Sequence, residues 1–211
     1  MSNVMKRIGD AGLVPVVVVD SAEDAVKAAR ALLDGGLDIM EITLRTEAGI
    51  EAIRSVTKAY PEMLVGAGTV LSVEKAKAAR EAGAAFIVSP GLNEKLVQWC
   101  LDNGLDVLPG CVTPTEIGRA LEYGLTILKF FPADVYGGEK AAKALHGPFR
   151  MVKFVPTGGV NNENLAQYAG KPYIHAVGGG WLCSEKDIKS GNFQNITNTV
   201  RAAIEIMRRP L

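Results

Sequence analysis

The chain has 211 residues, 48% of them hydrophobic and 22% charged, with 23 basic side chains balancing 23 acidic ones. That length supports one domain with a sizeable core, and a zero net charge without any basic block gives no electrostatic reason to expect nucleic acid as a partner. High apolar content without low-complexity tracts excludes a disordered chain.

In chain order, residues 1–10 read as a preliminary helix. The longest apolar run, Leu13 to Val19, has seven residues, far short of the ~20 that span a bilayer. Lys6 and Arg7 before it imitate a secretory leader. No small-residue cleavage pattern follows, however; Asp20-Ser21-Ala22-Glu23-Asp24 instead opens a helix with acidic residues. The reading is therefore a cytoplasmic protein with no membrane segment. Strand-like runs follow at 14–19, 38–43, 64–69, 86–90, 106–110, 127–132, 153–159 and 176–180, their starts 20 to 26 residues apart. Helical periodicity fills 22–34, 48–59, 73–82, 94–103, 114–122 and 163–169, and 194–209 reads as a long final helix. Thr113-Pro114-Thr115-Glu116 predicts a capping box with proline at the first helical position, and Ser72 and Asn161 can cap likewise. Gly35, Gly83, Gly104 and Gly124 fall where helices should stop.

The strands are nearly continuous apolar runs, which predicts burial on both faces and hence a parallel sheet. An unbroken βα series predicts a (β/α)8 TIM barrel with an extra N-terminal helix, occupying 1–211 as one domain. An open doubly wound sheet is the competitor, but eight strands at regular intervals and the absence of GxGxxG after the first one disfavour it. Cys100, Cys111 and Cys183 are odd in number and far apart, as expected of reduced thiols.

Barrels of this kind gather functional groups at the C-terminal ends of their strands, so polar residues inside apolar strands are the ones to question. Lys129, in Ile127-Leu128-Lys129-Phe130-Phe131-Pro132, shares a face with Ile127 and Phe131. A strand-end lysine can snorkel its ammonium to water. Apolar flanks on both sides favour a different role, because desolvation favours the neutral amine that Schiff-base chemistry needs. Glu41, Thr43 and Arg45 likewise fall on one face of the second strand and its extension. Glu41 and Arg45 could be a simple ion pair at the barrel mouth; the functional alternative makes Glu41 an acid and base, and Arg45 a bidentate clamp for a substrate carboxylate.

Thr157-Gly158-Gly159 and Gly178-Gly179-Gly180 close the seventh and eighth strands, where barrels commonly bind phosphate through bare backbone N–H groups. Gly66-Ala67-Gly68-Thr69 closes the third, and Thr69 could offer a hydroxyl to substrate. His146, in a Leu-His-Gly-Pro loop, and His175, at the start of a strand, read as structural. Neither has a carboxylate at ligand spacing, so no metal site is expected.

Together these residues closely resemble the bacterial 2-keto-3-deoxy-6-phosphogluconate (KDPG) aldolase family, the class I aldolases of the Entner–Doudoroff pathway. The likeness rests on Glu41-Ile42-Thr43-Leu44-Arg45-Thr46, Val65-Gly66-Ala67-Gly68-Thr69-Val70, Ser89-Pro90-Gly91, Lys129-Phe130-Phe131-Pro132 and Pro156-Thr157-Gly158-Gly159, in that order. The resemblance implies a Schiff base on Lys129 with no other cofactor, and Glu41 as general acid/base. It implies that Arg45 and Thr69 hold the pyruvate carboxylate region, that Pro90 and Phe131 line the pocket, and that Thr157 meets substrate hydroxyls. Phosphate would lie on Gly158, Gly159, Gly179 and Gly180. The family often carries serine at the last of these positions, where this chain offers only backbone. Relatives also cleave 4-hydroxy-2-oxoglutarate (KHG) or the galactonate epimer, and family members are typically homotrimers. A phosphosugar isomerase or epimerase, and a non-catalytic sugar-phosphate-binding barrel, are the competing readings from other classes; both would use the glycines without needing the lysine.

Overall fold

The structure, a computed structural model, describes residues 1–208. Among the described residues there are eight parallel strands: β1 (Leu13–Val17), β2 (Ile39–Thr43), β3 (Leu64–Gly68), β4 (Phe86–Ser89), β5 (Asp106–Pro109), β6 (Ile127–Phe130), β7 (Lys153–Pro156) and β8 (Val177–Gly179). Six of them form one curved sheet in the order β5-β4-β3-β2-β1-β8, while β6 and β7 pair separately. Single parallel bridges, Gly110 to Lys129 and Thr157 to Gly178, join the two sheets at the C-terminal ends of the strands. The result is a TIM-barrel-like α/β fold.

The helices are α1 (Asn3–Ala11), α2 (Ala22–Asp34), α3 (Gly49–Ala59), α4 (Val73–Glu81), α5 (Glu94–Asp102), α6 (Pro114–Glu122), α7 (Gly138–His146), α8 (Glu185–Lys189) and α9 (Phe193–Arg208). The capping box of α6 forms as its sequence predicts, with Thr113 and Glu116 serving each other's backbone, and the side chain of Ser72 caps α4. Gly83, Gly104 and Gly124 take left-handed conformations after their helices. After α2 that conformation falls instead on Gly36, with Gly35 still right-handed.

Two segments depart from the periodicity. The expected helix over 163–169 is only a 3-10 turn, Leu165–Gln167; Asn161 Oδ1 still accepts from the backbone N–H groups of Glu163 and Asn164, at 2.9 and 3.2 Å. Between β6 and β7, α7 forms where no helix was expected. It starts from a left-handed Gly137 with no side-chain cap, so the usual start signal is missing from the sequence. His146 accordingly ends a helix rather than sitting in a loop. The short α8 was also unanticipated, and position 209 of the expected last helix lies outside the described residues.

Two layers of core follow from strand alternation. Outward residues such as Val17, Met40, Ile42, Val65, Ala67 and Ile87 pack under the helices. Inward residues at the N-terminal end, Val14, Ile39, Leu64, Phe86, Val88, Leu108 and Val155, fill the barrel interior together with Met5 and Ile8 of α1. The α1 helix thus stops the bottom of the barrel, and His175, which precedes β8 rather than beginning it, holds it there through a 2.8 Å hydrogen bond between Nε2 and the Met5 carbonyl. No described helix is long and apolar enough to cross a membrane.

Candidate active site

The polar residues that strand alternation turns inward collect at the opposite end. Glu41 and Thr43 on β2, Lys129 on β6 and Thr157 just after β7 are all buried, as is Ser89 at the end of β4, which shares the outward face with Ile87. Lys129 Nζ lies 3.5 Å from Glu41 Oε1, with side-chain exposures of 7% and 3%. The ammonium also sits over the Phe131 ring, 5.2 Å from its centroid. The surroundings of the lysine are therefore not purely apolar, as its sequence neighbours suggest; a carboxylate 88 residues away in the chain is its hydrogen-bond partner.

Space for that pair is made by β3. A Cβ at Gly68 would stand 2.1 Å from Glu41 Oε1, and one at Gly66 would stand 2.3 Å from the Phe86 ring. Any larger residue at either position would displace the carboxylate above or the apolar filling below. Thr69 then turns the chain with φ of +55°, a conformation costly for a β-branched residue. It presents Oγ1 to Arg45 Nε at 3.3 Å. No Glu41–Arg45 ion pair exists among the described residues; the carboxylate turns inward to Lys129 and the exposed guanidinium turns to Thr69.

A cleft of about 540 Å³ opens beside these groups, lined in part by Arg45, Phe131, Thr157, Gly158, Gly180 and Trp181. Gly158 and Gly159 are both left-handed, at φ of +94° and +74°. The glycines are not equivalent. Gly158 and Gly180 line the cleft, Gly159 is exposed beside Asp134, and Gly179 is buried beneath the Trp181 ring. Pro90 follows β4 half-buried and is outside the cleft lining. Trp181 went unmarked in the sequence; its indole Nε1 donates to Asn162 Oδ1 at 2.9 Å and ties the loops after β7 and β8 together.

The remaining candidates for chemistry are quiet. Burial pushes the thiols of Cys100, Cys111 and Cys183 up to about 12, which keeps them protonated. His146 Nδ1 contacts the Val152 carbonyl at 2.9 Å. Among the described residues no group of three or more His, Cys, Asp or Glu could hold a metal ion.

The same arrangement of strands is found in proteins of known name. The family described as KDPG and KHG aldolase matches residues 4–199. The 2-dehydro-3-deoxy-phosphogluconate aldolase of Treponema pallidum is 42% identical over 98% of this chain and 99% of its own length. The KHG/KDPG aldolase of Escherichia coli K12 is 42% identical over 92% of this chain and 91% of its own. Among solved structures, the KDPG aldolase of Legionella pneumophila, with pyruvate captured as a covalent carbinolamine intermediate, superimposes with a TM-score of 0.92. It is 35% identical, and the match covers 96% of this chain and 98% of that one. A buried lysine–carboxylate pair at the C-terminal mouth of a parallel barrel and sequence identity along almost the whole chain lead to one conclusion: this chain belongs to the KDPG and KHG aldolase family, and it is a carbon–carbon lyase.

Proposed function

We propose that this protein cleaves 2-dehydro-3-deoxy-6-phosphogluconate to pyruvate and glyceraldehyde 3-phosphate through a Schiff base on Lys129, with Glu41 as general acid and base. The buried Lys129–Glu41 contact carries the reading, because it sets a nucleophile and a proton acceptor 3.5 Å apart inside the barrel. The amine attacks the C2 ketone of the substrate, and the carbinolamine loses water to give a protonated imine. Glu41, through a water, takes the proton of the C4 hydroxyl. The C3–C4 bond breaks, its electrons passing to the iminium to form the enamine as the aldehyde leaves. Glu41 returns a proton to C3, and hydrolysis releases pyruvate and the free amine. Dividing one hard cleavage into these steps is what covalent catalysis supplies, and no cofactor beyond Lys129 is needed.

Arg45 and Thr69 bind the substrate carboxylate, their 3.3 Å contact aligning one donor with the other. Phe131 and Pro90 wall the pyruvate end, and Thr157 meets the substrate hydroxyls. The backbone N–H groups of Gly158, Gly159, Gly179 and Gly180 take the phosphate; the cleft beside Gly158 and Gly180 supports that placement. The barrel works as a complete (β/α)8 TIM barrel, its N-terminal helix a stopper outside the chemistry, and the family resemblance supports a homotrimer in the cytoplasm. KHG and the galactonate epimer are the alternative substrates of the same chemistry.

Borohydride reduction in the presence of pyruvate tests the assignment. Mass analysis is expected to find the label on the peptide carrying Lys129; a label on another lysine overturns it. A lactate-dehydrogenase-coupled assay with phosphorylated and unphosphorylated 2-keto acids then ranks the substrates. Absence of pyruvate from all of them would favour an isomerase or a binding barrel.

A further inference from the structure

Thr43 is fully buried in β2, and its Oγ1 is a buried hydroxyl with no hydrogen-bond partner among the described residues. A valine would fill the same volume without a polar group to satisfy. Its position gives it a use. Thr43 is in register with Gly68 on the neighbouring strand, and Gly68 is where the Glu41 carboxylate lies, 2.1 Å from a notional Cβ. The Glu41 side chain therefore runs up the barrel to the level of Thr43, within about one strand spacing of it. Among the described residues the only hydrogen bond found for that carboxylate is the one from Lys129.

The Schiff-base reading, on which the next step rests, takes that donor away: once Lys129 Nζ is bonded to the substrate C2, it no longer holds Glu41. We propose that Thr43 is a positioning residue that replaces Lys129 as the hydrogen-bond donor to Glu41 in the imine state. Rotation about the Thr43 Cα–Cβ bond turns the hydroxyl onto the carboxylate. It keeps the base at the level of Gly68 while protons move to and from substrate, and a hydroxyl without a partner in the free protein gains one only along the reaction.

The test compares Thr43→Val, which keeps the volume and removes the donor, with Thr43→Ser, which keeps the donor. Two readouts follow Glu41: turnover, and exchange of the pyruvate methyl hydrogens with D2O, which needs no aldehyde. Thr43→Val is expected to slow both about tenfold, the scale of a hydrogen bond to a charged group. It should leave KM and borohydride labelling of Lys129 at wild-type levels and keep or raise Tm, while Thr43→Ser restores both rates. Wild-type exchange in the valine variant overturns the proposal. So does equal slowing in the serine variant, which would mark a packing effect. Failure of the wild-type protein to label at Lys129 would instead bring down the Schiff-base reading itself.

Discussion

The two ends of the barrel interior are built from the same strands and filled by opposite rules. At the N-terminal end, Val14, Ile39, Leu64, Phe86 and Val155 meet Met5 and Ile8 in an apolar plug. Two or four residues further along the inward faces, Glu41, Thr43, Lys129 and Thr157 are also buried, and polar. On β3 the change takes place across a single Gly-Ala-Gly step, with Phe86 pressed against Gly66 and Glu41 against Gly68. The lower end supplies hydrophobic stabilisation that tolerates the upper end, where one hydroxyl is unsatisfied and one threonine has a strained backbone.

That contrast can be broken from either side, beginning where the effect is greatest. Lys129→Met should lower turnover on the order of a millionfold, the scale of losing a covalent nucleophile, and abolish borohydride labelling while the protein stays folded by circular dichroism. Glu41→Gln should cost about 10²–10⁴-fold in turnover, as expected of a lost general acid/base, and still form imine; near-normal kinetics would require another base. At the other end, Phe86→Ala should remove about 3–5 kcal/mol of stability, seen as a Tm lower by about 10 °C, with KM and kcat at 25 °C unchanged. A change in kcat there would show that the two ends are coupled.

Smaller effects sharpen the picture. The nearest atom to a Cβ at Gly180 is the Val16 carbonyl oxygen at 3.6 Å, so Gly180→Ser fits. The added hydroxyl should lower KM for the phosphorylated substrate by about fivefold, one ordinary hydrogen bond, and leave the unphosphorylated one unaffected. The smallest effect lies at the plug. Burial, partly offset by the hydrogen bond to Met5, holds the His175 pKa below the usual histidine value. The unfolded chain therefore takes up a proton first as pH falls through the ordinary histidine range, and stability declines until the lower native value is passed. Tm should drop between about pH 7 and 5, and His175→Gln should flatten that slope.

Strand alternation in the sequence already puts Glu41, Thr43 and Arg45 on one face and Lys129 on a face with Ile127 and Phe131, because that period depends only on backbone geometry. It does not show which of them meet. The apolar sequence neighbours of Lys129 do not single out Glu41, a partner that only barrel curvature brings near. The Glu41–Arg45 pair, four residues apart in sequence, does not form: alternation puts both on one face, but Gly68 leaves the space in which the carboxylate lies. The helix α7 was illegible because its start carries no side-chain cap, and the 163–169 segment misled because apolar spacing over so few residues fits one turn as well as a helix.

By itself the sequence determined the βα alternation and the buried parallel strands, since periodicity and caps are local properties. The tertiary structure alone decided that β2 and β6 face each other across the barrel, that the Thr43 hydroxyl is buried with no hydrogen-bond partner among the described residues, and that Trp181 covers Gly179. Those relations depend on distances between strands far apart in the chain, which are set only when the sheet curls and its interior packs.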